Sequence, residues 1–136
     1  MLAARSLSTL LLALALRAPA RAADAFPTDS KLRFKEDHTF KIVAFGDAHW
    51  AGKTPEDLRT LTAMETILDT EKPDFVMYTG DNCLSHTVPD VREDYRQMTA
   101  PVVRRGIPWA ATLGNHDGEK GAVTRQGVFE CMLDLP

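Results

Sequence analysis

The sequence predicts an α/β fold built from parallel βα units. Three observations carry that prediction. First, three apolar, β-rich runs at residues 40–45, 75–79 and 107–113 alternate with stretches of helical periodicity. Second, each run ends in a short polar block: Gly46-Asp47-Ala48-His49, Gly80-Asp81-Asn82 and Gly114-Asn115-His116-Asp117. Third, the blocks are evenly spaced, 34 residues from Asp47 to Asp81 and 34 from Asp81 to Asn115. That spacing matches a βα crossover, so the strands should be parallel neighbours. Ligands of such sheets bind at the carboxyl ends of the strands, where all three blocks would lie.

The elements follow in order. Residues 31–34 alternate as Lys-Leu-Arg-Phe and read as an edge strand, and Glu36-Asp37-His38 as a turn. The run at 40–45 is the first buried strand. Thr54-Pro55-Glu56-Asp57 opens a helix: Thr54 suits the N-cap, Pro55 the first turn, and the two acids the positive end of the dipole. Leu58, Leu61, Met64 and Leu68 share one face of it. Pro73 marks the exit to the second strand. Val91, Tyr95, Met98 and Val102 give a second helix, which Pro101 should interrupt and kink, with Gly106 as its stop. The third strand follows. Thr124 then caps a last helix whose Val128, Met132 and Leu135 face inward.

Composition bounds the class. With 136 residues, 44% of them hydrophobic and 26% charged, the chain is one globular domain at most. A formal net charge of −3 and the lack of Lys/Arg clusters argue against a nucleic-acid surface. Arg5, the apolar run at 7–16 and Ala20-Arg21-Ala22 form the pattern of a secretory signal peptide over residues 1–22. Residues 23–30 then serve as a connector and 31–136 as the domain. The run is too short to span a bilayer, so no membrane span is expected after cleavage. Three arginines without an acid also fit an organelle transit peptide, and an uncleaved anchor is a third option. The localisation read from this is secretory or extracellular, with a cytoplasmic or organellar chain as the alternative. Cys83 and Cys131 make no disulfide framework, and Cys83 reads as a small buried hydrophobe near the second block.

The blocks supply two carboxylates, one amide and two imidazoles at strand tips. Asp47 and His49, as i and i+2 of an extended segment, point the same way and can grip one borderline metal. Alone, a Gly-Asp turn followed by a surface histidine explains them equally well. Asp81 has two oxygens and can bridge two cations. Alone, Gly-Asp-Asn reads as a turn. The third block decides between these readings. Asn115 offers a neutral carbonyl oxygen, His116 a proton donor, and Asp117 can hold that imidazole's orientation and tautomer. His38 reads as a surface residue and His86 as a solvated loop residue.

With these motifs in order, the chain resembles the calcineurin-like metallophosphoesterase family, whose pattern runs D-x-H, G-D, G-N-H-D/E and then later histidines. It is most similar to the plant purple acid phosphatase-like branch often labelled "probable inactive", an impression that residues 106–111 (Gly-Ile-Pro-Trp-Ala-Ala) strengthen. The resemblance implies the N-terminal half of an α/β/β/α sandwich. It implies Asp47 and His49 on a first metal, Asp81 bridging, Asn115 on a second metal, and His116 with Asp117 at the leaving-group oxygen. It further implies two divalent ions (Mn, Fe or Zn), about 3.5–4 Å apart, that activate a hydroxide against a phosphate ester of a small molecule or phosphoprotein. His49 and Leu84 depart from purple acid phosphatases, which carry glycine and tyrosine there, so no tyrosinate–Fe(III) centre is implied. No histidine follows His116. The later ligands are therefore absent, and a truncated product of a longer phosphoesterase is expected, with a non-catalytic regulatory or binding fragment as the alternative.

Overall fold

The computed structural model describes residues 32–120 and 123–135 of the chain. Residues 1–22 and 23–30, expected to be a signal peptide and a connector, and Lys31 of the expected edge strand lie outside them. Six elements follow in sequence: β1 (Ile42–Phe45), α1 (Pro55–Glu71), β2 (Phe75–Tyr78), α2 (Val91–Arg104), β3 (Trp109–Ala111) and α3 (Arg125–Leu133). The strands form one parallel sheet in the order β1-β2-β3. Val43 pairs with Val76, and Val76 with Trp109, so these rows share a sheet face. This is the α/β arrangement predicted from the runs and their spacing.

The helices form where their caps dictate. Thr54 closes a capping box on α1: its hydroxyl accepts from Asp57 N and the Asp57 carboxylate accepts from Thr54 N. Asp57 is itself buried and also accepts from Ala51 N at 3.1 Å, which ties the helix start to the chain leaving β1. That carboxylate takes the place at the head of the inward stripe that Leu58 was expected to fill. The stripe runs Asp57, Leu61, Met64, Leu68, and Leu58 is 54% exposed. Asp90 caps α2 through Glu93 N, and Thr124 caps α3 through Gly127 N.

Two further expectations are corrected. Residues 32–34 form no strand, and Leu32 and Phe34 are exposed. Helix α2 runs through Pro101 to Arg104 without interruption. Pro101 is fully buried beside Val102 there, so core packing compensates the missing donor.

The core lies between the helices and one sheet face. Met64 and Leu68 from α1, Tyr95, Met98 and Val102 from α2, and Val128 from α3 join Phe45, Val76 and Tyr78. Tyr78 stacks edge-on with Trp109 at 5.8 Å between centroids. The opposite face carries Ile42, Ala44 and Ala110, all exposed.

Candidate metal centre

The three polar blocks do meet at the carboxyl ends of the strands. The first two are zipped together beyond β1 and β2. Asp47 N donates to Gly80 O at 3.1 Å, His49 N to Asp81 O at 2.9 Å and Trp50 N to Asn82 O at 2.9 Å. Trp50 and Cys83 continue this as a parallel bridge. Asp47, His49 and Asp81 all adopt left-handed backbone, with φ of 53°, 45° and 50°. Non-glycine residues hold that conformation where surrounding bonds over-determine it, and such positions cluster at functional sites. The extended i, i+2 geometry expected for Asp47 and His49 is therefore not what aligns them; the zipped loops do that.

Their side chains converge. His49 Nε2 lies 3.9 Å from Asp47 Oδ1 and 3.9 Å from Asp81 Oδ2. The third block closes from the other side. His116 N donates to Asp81 Oδ1 at 2.9 Å, which ties one carboxylate oxygen and leaves the other toward His49. The approach requires glycine at 114, because a Cβ there would overlap the Asp81 carboxylate and backbone. The His49 and His116 rings meet nearly perpendicular with centroids 5.0 Å apart. One ligand atom each from His49, Asp81 and His116 falls within 4.8 Å of the others. Two imidazoles and a carboxylate suit a borderline divalent ion, so the residues present fit one such ion. Asp47 flanks this cluster and is 79% exposed. Asn115 is exposed, and among the described residues its side-chain amide makes no hydrogen bond.

Asp117 has a different place from the one expected. Its carboxylate does not serve the His116 imidazole. It is buried and accepts from Tyr95 Oη at 2.6 Å, Gly114 N at 2.8 Å, Cys83 N at 2.9 Å and Asn82 N at 3.1 Å. One carboxylate thus pins the second block to the third and both to α2. The Asn82 amide adds a bond to Thr112 O at 2.8 Å, and Ser85 Oγ bonds His116 O at 3.0 Å. Burial, with Asp117 beside it, pushes the Tyr95 hydroxyl well above its usual range and keeps it a proton donor. Burial likewise pushes the Cys83 thiol up to about 12, and Cys83 and Cys131 are both free.

The imidazole of His116 has another neighbour. Its Nδ1 is buried and lies 2.9 Å from Glu119 Oε2, at ion-pair distance but without the alignment of a hydrogen bond. Lys120 Nζ sits 3.3 Å from the same carboxylate. Lys120 first, then His116, holds the Glu119 carboxyl below its usual range. Sequence reasoning missed Glu119, Tyr95 and Asn82 as site residues. Tyr95 carries only a core signal, being one of the helical repeat, and Glu119 carries none beyond its position three residues after His116.

A family model for calcineurin-like phosphoesterases matches residues 40–134. The chain belongs to the calcineurin-like phosphoesterase family. Among curated relatives, it is 37% identical to a protein named probable inactive purple acid phosphatase 29 of Arabidopsis thaliana, over 78% of this chain and 31% of that protein. It is 34% identical to probable inactive purple acid phosphatase 14 of the same plant, over 78% of this chain and 30% of the relative. It is 33% identical to phosphatase DCR2 of Saccharomyces cerevisiae, over 78% of this chain and 21% of the relative. The chain spans about a third or less of the length of these curated relatives. Divalent metals belong to the chemistry of the family, and phosphate esters are its substrate class. Among the described residues, no helix is long and apolar enough to cross a membrane.

Proposed function

We propose that this chain supplies metal-site residues for phosphate-ester hydrolysis. The observation that carries the reading is the convergence of His49, Asp81 and His116 from three strand tips to within 4.8 Å. In this reading Asp47, His49 and Asp81 hold a first ion, Asp81 reaches toward a second, and Asn115 supplies that second ion's amide oxygen. When bound, the ions would supply Lewis acidity for the phosphoryl oxygens and for water. Manganese, iron and zinc all suit these donors.

The chain's own residues do the rest. Asp47 and Asp81 bring negative charge that attracts cations to the sheet edge. The His116 imidazole, at the lip of the cluster, delivers a proton to the departing oxygen. Asp117 holds the strand-tip loops in register without touching substrate. Residues 1–22 would direct the chain into the secretory pathway, with residues 31–136 as the phosphoesterase domain.

A second reading has specific support. Two of the relatives above carry "probable inactive" in their names. A binding or regulatory protein that keeps one metal and hydrolyses nothing fits those names. Purified full chain, loaded with Mn or Zn, separates the two. Hydrolysis of an aryl phosphate that His116→Ala lowers by 100-fold or more supports the enzyme. Bound metal without turnover supports the binding protein, and absence of both metal and turnover overturns the metal-site reading for this chain.

A further inference from the structure

We infer that Glu119 is the positioning residue for His116, fixing its proton on Nδ1 and presenting Nε2 to the strand-tip cluster. The inference deepens the metal-site reading proposed above and rests on it for its chemical purpose. Its geometry stands on its own.

The residue next to His116 in sequence is fully committed elsewhere. Asp117 accepts from Tyr95, Gly114, Cys83 and Asn82, so its carboxylate has no capacity left for the imidazole. Glu119 takes that role because the backbone turns back on itself. Glu119 N donates to His116 O at 3.3 Å, closing a turn that sets position 119 beside position 116. Gly118, at φ 92°, makes the turn possible and packs against the backbone of Arg125. Gly118 N is anchored on Ser85 Oγ at 2.8 Å, and Ser85 Oγ holds His116 O at 3.0 Å. The turn is therefore fixed at both ends, and its product is a carboxylate 2.9 Å from a buried ring nitrogen.

An anionic oxygen at that distance favours the tautomer with a proton on Nδ1. Nε2 then faces the cluster and is the nitrogen that takes up, and hands on, the proton delivered to the departing oxygen. A carboxylate behind an imidazole is the arrangement by which proteins orient metal-ligating histidines and raise their basicity. The contact is short but not aligned for a hydrogen bond, and a small rotation of either side chain would align it.

The test uses the full chain, metal-free, labelled with nitrogen-15, at a pH above the imidazole titration. Long-range proton–nitrogen correlation spectra read which ring nitrogen of His116 is protonated. The wild-type protein is expected to show Nδ1 protonated. Glu119→Met keeps the volume and removes the acceptor, and it should move the proton to Nε2 or to a mixture. Glu119→Ala serves the same purpose with a smaller side chain, and Glu119→Gln, which keeps an acceptor oxygen, should restore the wild-type pattern. Zinc titration calorimetry on the wild-type chain reads separately whether the strand-tip cluster holds a cation. An Nε2-protonated wild-type ring, or identical tautomers in wild type and Glu119→Met, overturns the inference. A tautomer shift in a protein that binds no zinc leaves the inference standing and removes the metal-site reading. Zinc binding with an unmoved tautomer does the reverse.

Discussion

The floor and the rim of the strand-tip site are built on opposite terms. The floor is Asp117, Asn82, Tyr95, Trp50 and Asp94, all buried and hydrogen-bonded to one another or to backbone, with Asn82 Oδ1 the one buried side-chain oxygen or nitrogen of the set left without a partner among the described residues. The rim is Asp47, His49, Asn115 and His116, half-buried or exposed; His49 Nε2 lies 3.9 Å from the Asp47 and Asp81 carboxylates and its ring centroid 5.0 Å from that of His116, without a hydrogen bond among these side chains. Buried polar groups must be paired because desolvation leaves them no other partner. Groups at the lip keep water or a ligand as an alternative. The difference shows where chemistry and stability are divided: the floor sets the shape, and the rim keeps unspent valence for a ligand.

That division can be broken at its strongest point first. Asp117→Ala strands Tyr95 Oη and the backbone donors of residues 82, 83 and 114, and each unsatisfied buried donor costs about 1–3 kcal/mol. A loss of about 3 kcal/mol or more is expected in urea unfolding, seen as a lower midpoint. A loss under about 1 kcal/mol would show that these bonds do not hold the strand-tip loops together. Gly114→Ala is expected to cost about 1–3 kcal/mol by overpacking, and to abolish metal binding because its Cβ displaces Asp81. Calorimetry on this variant joins the two regions in one experiment.

Tyr95→Phe removes one charge-assisted bond and should cost about 1.5–3 kcal/mol while leaving zinc affinity nearly unchanged. His49→Ala is the mirror image. Stability should move by no more than about 0.5 kcal/mol, while zinc affinity falls at least tenfold. If both variants changed both properties equally, floor and rim would be one unit.

The smallest effect concerns pH. Burial raises the Asp94 carboxyl pKa, while the bond from Trp50 Nε1 at 3.0 Å works against that shift. A carboxyl with a raised folded-state pKa binds its proton more tightly when folded. Its contribution to stability is therefore greatest at low pH and is lost as pH climbs from the ordinary carboxyl value through the raised one. Asp94→Asn keeps an acceptor for Trp50 and should flatten that part of the stability–pH curve, read from thermal midpoints at several acid pH values.

Local signals explain why so much of the scaffold could be read from residues alone. The three apolar runs became β1, β2 and β3 in parallel order, and Thr54 and Thr124 cap the helices they were expected to cap. Each of those outcomes depends on side chains within a few positions of one another. Leu58 and Asp57 exchanged places because a buried carboxylate held by Ala51 N decides which way the first turn of α1 faces. That bond joins separate segments and leaves no trace in periodicity. Pro101 stayed inside α2 for a similar reason, since its ring packs in the core.

The site divides in the same way. Sequence by itself determined which residues reach the strand tips, because a βα repeat with Gly-Asp and Gly-Asn-His endings can deliver them nowhere else. It also determined the family. Tertiary structure alone decided what each polar group faces. Asp117, adjacent to His116 in the chain, bonds Tyr95 and the second block, while Glu119, three residues on, meets the imidazole. The physical reason is that a carboxylate's partner is set by direction and burial over a few ångströms. A turn through Gly118 reverses that direction in a way that residue order does not encode.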